Sequence, residues 1–349
     1  MNEKLEKRID ILVKLGEILR SDSSVEEVIA KASSYNPWFT PGFCRSALDA
    51  LIGKMLDRDK LTQWLSRYDI KGEETEAKTI GIIMAGNLPL VGFHDFLCAY
   101  IPGHNVKIKL SGKDDILFPY IYERLSEIDL SLKSKVSVID RLEGFDAVIA
   151  TGSNNTNRYF EYYFRKYPKI LRKNRNSIAI LTGQETGIEL LGLADDIFMY
   201  FGFGCRNVSK LYVPEEYDLT RLFPYFDKYK WMHDHTKYMN NYDYNRTLLL
   251  MNRTEHLAND FIMIQESTAI SSPISILHYE RYNVKSLEQK LINNLNDIQC
   301  VVSKPSIIVA DNQIDVVKFG YTQCPELWEY ADNVDTLSFC SSLNPGTIG

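Results

Sequence analysis

The sequence predicts an α/β protein in which parallel βαβ units follow a helical N-terminal region. Three observations carry this. Apolar residues recur at helical spacing across residues 4 to 67. From Lys78 onward, short apolar runs alternate with longer helical patterns, which is how parallel βαβ units read. One of those runs passes through a Gly/Ser turn straight into a helix.

In the first stretch Leu5, Ile9, Leu12, Leu15 and Leu19 fall on one helical face, and Ser21-Asp22-Ser23-Ser24 before Val25-Glu26-Glu27 resembles a capped helix start. Pro37 and Pro41 break the pattern, and a second helical run is expected from about 47 to 65. No chemistry is assigned to this preface, residues 1 to 78.

The second stretch reads as strand 79 to 85, helix 90 to 100, strand 105 to 110 and helix 116 to 125. Strands at 136 to 139 and 147 to 150 follow, the latter running through Thr151-Gly152-Ser153 into a helix from about 156 to 164. Such a turn aims backbone N–H groups and the positive end of a helix dipole at what lies above it, usually a phosphate. It is equally the form of a plain helix cap.

The third stretch places strands at 177 to 181 and 210 to 213 around a helix from about 187 to 200, whose Asp195-Asp196 pair reads as a solvated face rather than a metal site. Residues 228 to 245 are dense in Tyr, Asn, His and Asp. Those aromatics suit an acyl tunnel or a subunit contact, and His233 and His235 suit base catalysis, but a polar surface excursion is the expected reading. Residues 344 to 349 read as a loose tail.

Composition bounds the function. A chain of 349 residues with 45% apolar and 25% charged residues reads as a soluble two-domain enzyme. A net charge of -6 argues against nucleic-acid binding. There is no run long enough to span a bilayer and no signal-peptide core at the N-terminus, so a cytoplasmic protein is expected. The six cysteines are scattered, without a C-x-x-C pair or a Cys/His cluster at metal-ligand spacing, so neither a disulfide framework nor a metal site is expected.

Among them Cys205 stands apart, in Phe201-Gly202-Phe203-Gly204-Cys205-Arg206-Asn207 before the apolar strand Leu211-Tyr212-Val213. Glycines around an aromatic let backbone pass close to the thiol, and a strand behind gives it a rigid support. A buried core cysteine is the bland alternative. A nucleophilic role needs a thiolate and an oxyanion donor.

Read in order, Ala85-Gly86-Asn87-Leu88-Pro89-Leu90, Asn105-Val106-Lys107-Ile108-Lys109-Leu110-Ser111, Thr151-Gly152-Ser153 and the Gly-flanked Cys205 resemble the aldehyde dehydrogenase superfamily. Its equivalents read N-F-P, G-N-T-V-V-L-K-P-S, T-G-S and G-Q-x-C. The short chain and the form of the motifs look more like its acyl-CoA reductase branch, the luminescence-type (LuxC-like) fatty acid reductases. The resemblance covers roughly residues 79 to 275.

That resemblance implies an aldehyde-dehydrogenase-like fold, with a Rossmann-type nicotinamide cofactor domain at 79 to 175, a catalytic domain at 176 to 325, and a C-terminal segment, 326 to 349, that packs back or oligomerises. It makes Cys205 the nucleophile that accepts an acyl group, and Asn87 the side-chain donor of an oxyanion hole, a contribution of about 2.7–4 kcal/mol. Lys109 and Ser111 match the positions that meet the adenosine ribose. Many relatives carry a glutamate three residues after that lysine, where this chain has Gly112 followed by Lys113, and a cation in place of an anion favours NADP(H). Lys113 also reads as an ordinary surface lysine. Thr151, Gly152 and Ser153 would approach the pyrophosphate, and Glu266 falls near a glutamate that binds the nicotinamide ribose.

Aldehyde-oxidising members carry a water-activating glutamate in E-L-G-G-K, and residues 171 to 177 here contain no acid. Glu185 and Glu189 come later and are not assigned that role. The implied reaction is therefore NADPH-dependent reduction of a fatty acyl thioester, of coenzyme A or a carrier protein, to an aldehyde through acyl-Cys205. An acyl-protein synthetase partner and a homo-oligomer are implied too. An aldehyde-oxidising dehydrogenase of the same fold and a non-catalytic member binding acyl chains or a partner remain the alternatives.

Overall fold

The helical spacing at the N-terminus produces α1 (Glu3–Ser21), with Leu5, Ile9, Leu12, Leu15 and Leu19 all buried. In α2 (Ser24–Tyr35) the predicted start holds, but Ser23 does not cap it with its side chain. Asp22 does the work instead. One carboxylate oxygen accepts from Ser24 N (2.9 Å) and Ser24 Oγ (2.7 Å), the other from Tyr120 Oη (2.7 Å) and Arg124 Nε (2.8 Å). These donors hold the Asp22 carboxyl well below the usual range, Tyr120 contributing most. The next helix, α3 (Pro41–Ala50), begins earlier than expected because Thr40 caps it and Pro41 occupies its first turn. A π-helical stretch, Leu51–Met55, separates it from α4 (Arg58–Leu65), which Asp57 caps.

This is a computed structural model describing residues 3–70, 77–304 and 314–343. It divides into one unit formed by residues up to Lys173 together with those from Pro325, and a second formed by Asn174–Cys324.

The first unit continues through β1 (Thr79–Ile83), α5 (Phe93–Tyr100), β2 (Asn105–Lys109), α6 (Leu117–Ile128), the short α7 (Leu132–Lys135), β3 (Val136–Val138), β4 (Ala147–Thr151), α8 (Asn154–Tyr163) and β5 (Lys169–Arg172). The strands form one sheet in the order β3-β2-β1-β4-β5, every pair parallel. The order reverses at β1, so β1 and β4 form a topological switch point, where open parallel sheets bind ligands beyond the strand C-termini. Sequence reading missed β5, because Lys169-Ile170-Leu171-Arg172 is a four-residue edge strand bracketed by charge.

The second unit runs β6 (Asn176–Ile180), α9 (Gly187–Phe198), β7 (Val208–Pro214), the short α10 (Phe223–Phe226), α11 (Thr236–Met251), β8 (His256–Ala258), β9 (Met263–Glu266), β10 (Ile276–Tyr282), α12 (Val284–Asn293), β11 (Ile298–Val302) and β12 (Asp315–Val317). Its sheet has the order β12-β11-β6-β7-β10-β9-β8, with only the β8/β9 pair antiparallel. The central β7 is buried from Val208 through Val213, as a strand covered on both faces should be.

The chain then returns to the first unit. Trp64 Nε1 donates to Tyr330 Oη (2.7 Å), Tyr68 Oη donates to Asp335 (2.7 Å), and the rings of His94 and His104 bond the carbonyls of Leu327 (2.9 Å) and Cys340 (2.8 Å). The last helix, α13 (Thr336–Ser342), is fixed at its start by Arg172, which donates to Thr336 Oγ1 (2.8 Å) while paired with Asp95 at 2.5 Å. The expected tail, 344 to 349, lies outside the described residues.

Candidate functional site

Seven of the residues singled out from sequence sit at the C-terminal edge of the first sheet. The register sets Ile83 of β1 opposite Lys109 on one side and Ala150 on the other. The Asn87 loop, Lys109 with the Ser111–Lys113 turn, and Thr151-Gly152-Ser153 therefore leave three adjacent strands at one level. Asn87, Lys109, Lys113 and Ser153 are exposed there, and Ser111, Thr151 and Gly152 are half-buried.

The first two loops are packed together. A Cβ on Gly86 would lie 2.5 Å from both Ser111 Cβ and Ser111 Oγ, so only glycine fits. Asp114, buried behind the turn, accepts from Leu90 N (3.0 Å), and burial pushes its carboxyl up to about 6. The preface, to which no chemistry was assigned, holds the same turn: Tyr35 Oη donates to Gly112 O (3.2 Å) and Asn36 Nδ2 to Lys113 O (3.1 Å). At the third loop, Ser153 Oγ caps α8, accepting from Thr156 N (3.3 Å). Its hydroxyl thus serves the helix, which leaves the first-turn N–H groups as the anion-facing feature of that turn. Asn157 Nδ2 ties the turn down through Gly152 O (3.2 Å) and Arg172 O (2.6 Å).

In the second unit Cys205 is half-buried in the loop between a 3₁₀ stretch, Met199–Gly202, and β7. Three successive residues there are left-handed: Tyr200 (φ 53°), Phe201 (φ 57°) and Gly202 (φ 76°). Each non-glycine residue in that region costs about 1–3 kcal/mol and persists only where the surroundings over-determine it. They do so here. Asn207, 1% exposed, donates through Nδ2 to the carbonyls of Asp196 (3.1 Å), Ile197 (3.4 Å) and Met199 (2.9 Å), and its Oδ1 accepts from Gly204 N (2.8 Å). Ser177 Oγ donates to Cys205 O (3.1 Å), and Arg206 Nε donates to Thr322 O (2.8 Å).

Sequence reading missed those three pinning residues and misjudged two others. Asp196 is buried, not a solvated face: it accepts from Gly320 N (2.7 Å) and Thr322 N (3.0 Å), and burial pushes its carboxyl up to about 6. The tract 228 to 245 is only in part the surface excursion expected, since Tyr229, Met232, Tyr238, Tyr242 and Asn245 are buried. His235 caps α11 by accepting from Tyr238 N (3.2 Å), and its ring lies 4.4 Å from that of Phe201, which Trp231 and Tyr238 also contact. The aromatics thus buttress the strained loop before Cys205. His233 is exposed beside Asp234.

The remaining acids divide differently. Glu185 accepts from Thr182 N (2.6 Å), Thr182 Oγ1 (2.7 Å) and Gly183 N (3.1 Å), and Glu189 forms a capping box with Thr186. Both are committed to local turns. Glu266 ends β9 level with Tyr279 and, through it, with Leu211 of β7, whereas Cys205 precedes the first residue of β7, Val208. The strand register does not bring Glu266 to the level of Cys205. Among the described residues no group of His, Cys, Asp or Glu is placed to hold a metal ion, no helix is long and apolar enough to cross a membrane, and none of the six cysteines is in a disulfide.

No family model matches the chain, and no curated protein matches it by sequence. Solved structures do. The indole-3-acetaldehyde dehydrogenase of P. syringae, in complex with NAD+ and IAA, superposes with a TM-score of 0.65 at 13% identity, covering 90% of this chain and 77% of its own. Aldehyde dehydrogenase 21 of Physcomitrella patens, in complex with succinate, gives 0.68 at 13% identity over 100% of this chain and 88% of its own. The fold is that of the aldehyde dehydrogenases. HpcC of Thermus thermophilus, at 0.67 and 12% identity over 90% of this chain and 74% of its own, agrees. In the aldehyde dehydrogenase fold of this chain, the parallel five-stranded sheet carries the Asn87, Lys109 and Thr151 loops, and the mixed seven-stranded sheet carries Cys205.

Proposed function

We propose that the protein reduces a fatty acyl thioester to an aldehyde with NADPH, through an acyl group carried on Cys205. The observation that carries this reading is the Cys205 loop, a half-buried thiol that follows strained backbone and is locked by Asn207, Ser177 and Arg206, while Glu185 and Glu189 are bound into turns. With both of those carboxylates committed, a rigid nucleophile favours transfer to a thiol over hydrolysis.

The chemistry balances as follows. The Cys205 thiolate attacks the thioester carbonyl, the bond to the donor sulfur breaks, and the donor thiol leaves with a proton. A nicotinamide dinucleotide, when bound, would supply the hydride for the acyl carbon. The thiohemiacetal oxyanion, held by the Cys205 backbone N–H and the Asn87 amide, collapses with loss of the Cys205 thiolate and release of the aldehyde.

The switch-point edge fits a dinucleotide: Gly86 lets the first two loops close together, and α8 presents its N-terminus beyond β4. Three of the similar structures contain NAD+, which supports a nicotinamide cofactor. Lys109 and Ser111 would face the ribose, with Gly112-Lys113 favouring a 2'-phosphate by charge, and Thr151, Gly152 and Ser153 would lie at the pyrophosphate. Glu266, at the end of β9, would meet the nicotinamide ribose. The acyl donor is a coenzyme A or carrier-protein thioester, with a synthetase partner as one source, in a cytoplasmic homo-oligomer.

Intact-mass spectrometry with a series of acyl-CoA esters, with and without NADPH, tests this on the wild type and Cys205→Ala. A single acyl adduct is expected, absent in C205A and discharged by NADPH as aldehyde. Absence of any wild-type adduct overturns the proposal. An adduct lost as free acid, with turnover of aldehyde and NAD+, gives the aldehyde-oxidising reading instead.

A further inference from the structure

We infer that Asp114 is a positioning residue that fixes the Asn87 loop to the Ser111–Lys113 turn, an inference resting on the role proposed for Asn87. Both ends of the Asn87 loop abut the same four residues. At its start, Gly86 is pressed against Ser111, with room for no Cβ. At its end, Leu90 N donates to Asp114 Oδ2 at 3.0 Å.

Leu90 is left-handed (φ 60°), a strained conformation for leucine that must be held from outside. Asp114 is 7% exposed and is itself locked to the turn, its N–H donating to Ser111 O at 3.0 Å. Tyr35 and Asn36 clamp the far side of that turn through the carbonyls of Gly112 and Lys113. The path from Gly86 to Leu90 is therefore spanned by one fixed turn, and exposed Asn87 lies on it. Removing the carboxylate frees Leu90 to relax to negative φ, which shifts Asn87. A misplacement of about 1 Å costs about 100-fold in rate.

The test is single-turnover acylation of Cys205 by an acyl-CoA ester, followed by intact mass, in wild type, Asp114→Ala, Asp114→Asn, Asn87→Ala and the N87A/D114A double variant. Alkylation of Cys205 by iodoacetamide, which needs no oxyanion donor, is measured alongside. We expect D114A to acylate about 30- to 100-fold more slowly with alkylation unchanged. D114N, which keeps an acceptor for Leu90 N, should recover most of the rate, and the double variant should be no slower than N87A. A structural role alone would instead multiply the two losses and alter alkylation.

D114A acylating within about threefold of wild type, or multiplicative losses in the double variant, overturns the inference. Asp114→Ser, polar but too short to reach Leu90, carries the same expectation should D114A not fold. A wild type that takes no acyl group refutes the functional proposal, whereas a wild type that acylates alongside an equally fast D114A refutes only the role of Asp114.

Discussion

Asn207→Ala tests whether the Cys205 loop is held in a strained shape by one buried amide. The substitution removes the acceptor for Gly204 N (2.8 Å) and the donor shared by three carbonyls, of which Met199 O at 2.9 Å is nearest. At 1% exposure water does not replace the amide, and each buried group left unsatisfied costs about 1–3 kcal/mol. Taking Gly204 N–H and Met199 O as the two groups that lose most, the native state should fall by about 2–6 kcal/mol. Relaxation of Tyr200 and Phe201 out of the left-handed region returns part of this. Urea unfolding should therefore show a stability loss of about 2–4 kcal/mol, read as a lower midpoint at unchanged slope, together with a changed rate of Cys205 alkylation. Asn207→Asp keeps the acceptor but sets a carboxylate against three carbonyls, and should be worse than alanine. A loss below about 1 kcal/mol in N207A, with alkylation as in wild type, would refute the reasoning.

Three further outcomes follow from the first unit. Asp95 and Arg172, 4% and 8% exposed and paired at 2.5 Å, should each cost about 3–5 kcal/mol when replaced singly by alanine or leucine, while the double replacement by Leu and Met recovers much of the loss, as denaturant melts of all three would reveal. Burial depresses the His94 and His104 imidazoles. The unfolded state then binds more protons below about pH 6.5, so their contribution is full above that pH and lost as it falls toward the lowered native values; melting temperatures flat between pH 7 and 5 would contradict this. Gly86→Ala, whose new Cβ meets Ser111 at 2.5 Å, should destabilise by about 1–3 kcal/mol and weaken NADPH binding measured by fluorescence titration; unchanged binding would separate that contact from the cofactor.

Much of the architecture was legible because it rests on local pattern. The helical repeat of α1 and the strand-turn-helix at Thr151-Gly152-Ser153 each carry their signal within a dozen residues. What escaped depended on partners distant in sequence. Nothing local separates Asp196 from its half-buried neighbour Asp195, since only the backbone at Gly320 and Thr322 decides which is fully buried. The aromatic tract looked polar for the same reason, its Tyr238 being buried against Phe201 more than thirty residues earlier. Asn207 was in view beside Cys205, but its function lies in carbonyls at the end of a helix that sequence cannot aim. For Glu266 the motif context was loose, and strand register is a property of pairing that no single segment encodes.

The return of residues 325–342 to the first unit sets an order of events during synthesis. Trp64, His94, His104 and Arg172 all find their partners in a segment that leaves the ribosome after the whole second unit. Until then the first sheet can pair its strands, but the face destined for α13 stays open, with a buried-to-be guanidinium and two imidazoles still wet. The second unit, by contrast, is encoded without interruption from Asn174 to Cys324 and can close as soon as it emerges. The domain begun first is thus completed last, and the nascent chain carries an unfinished face on its first unit until the final residues emerge.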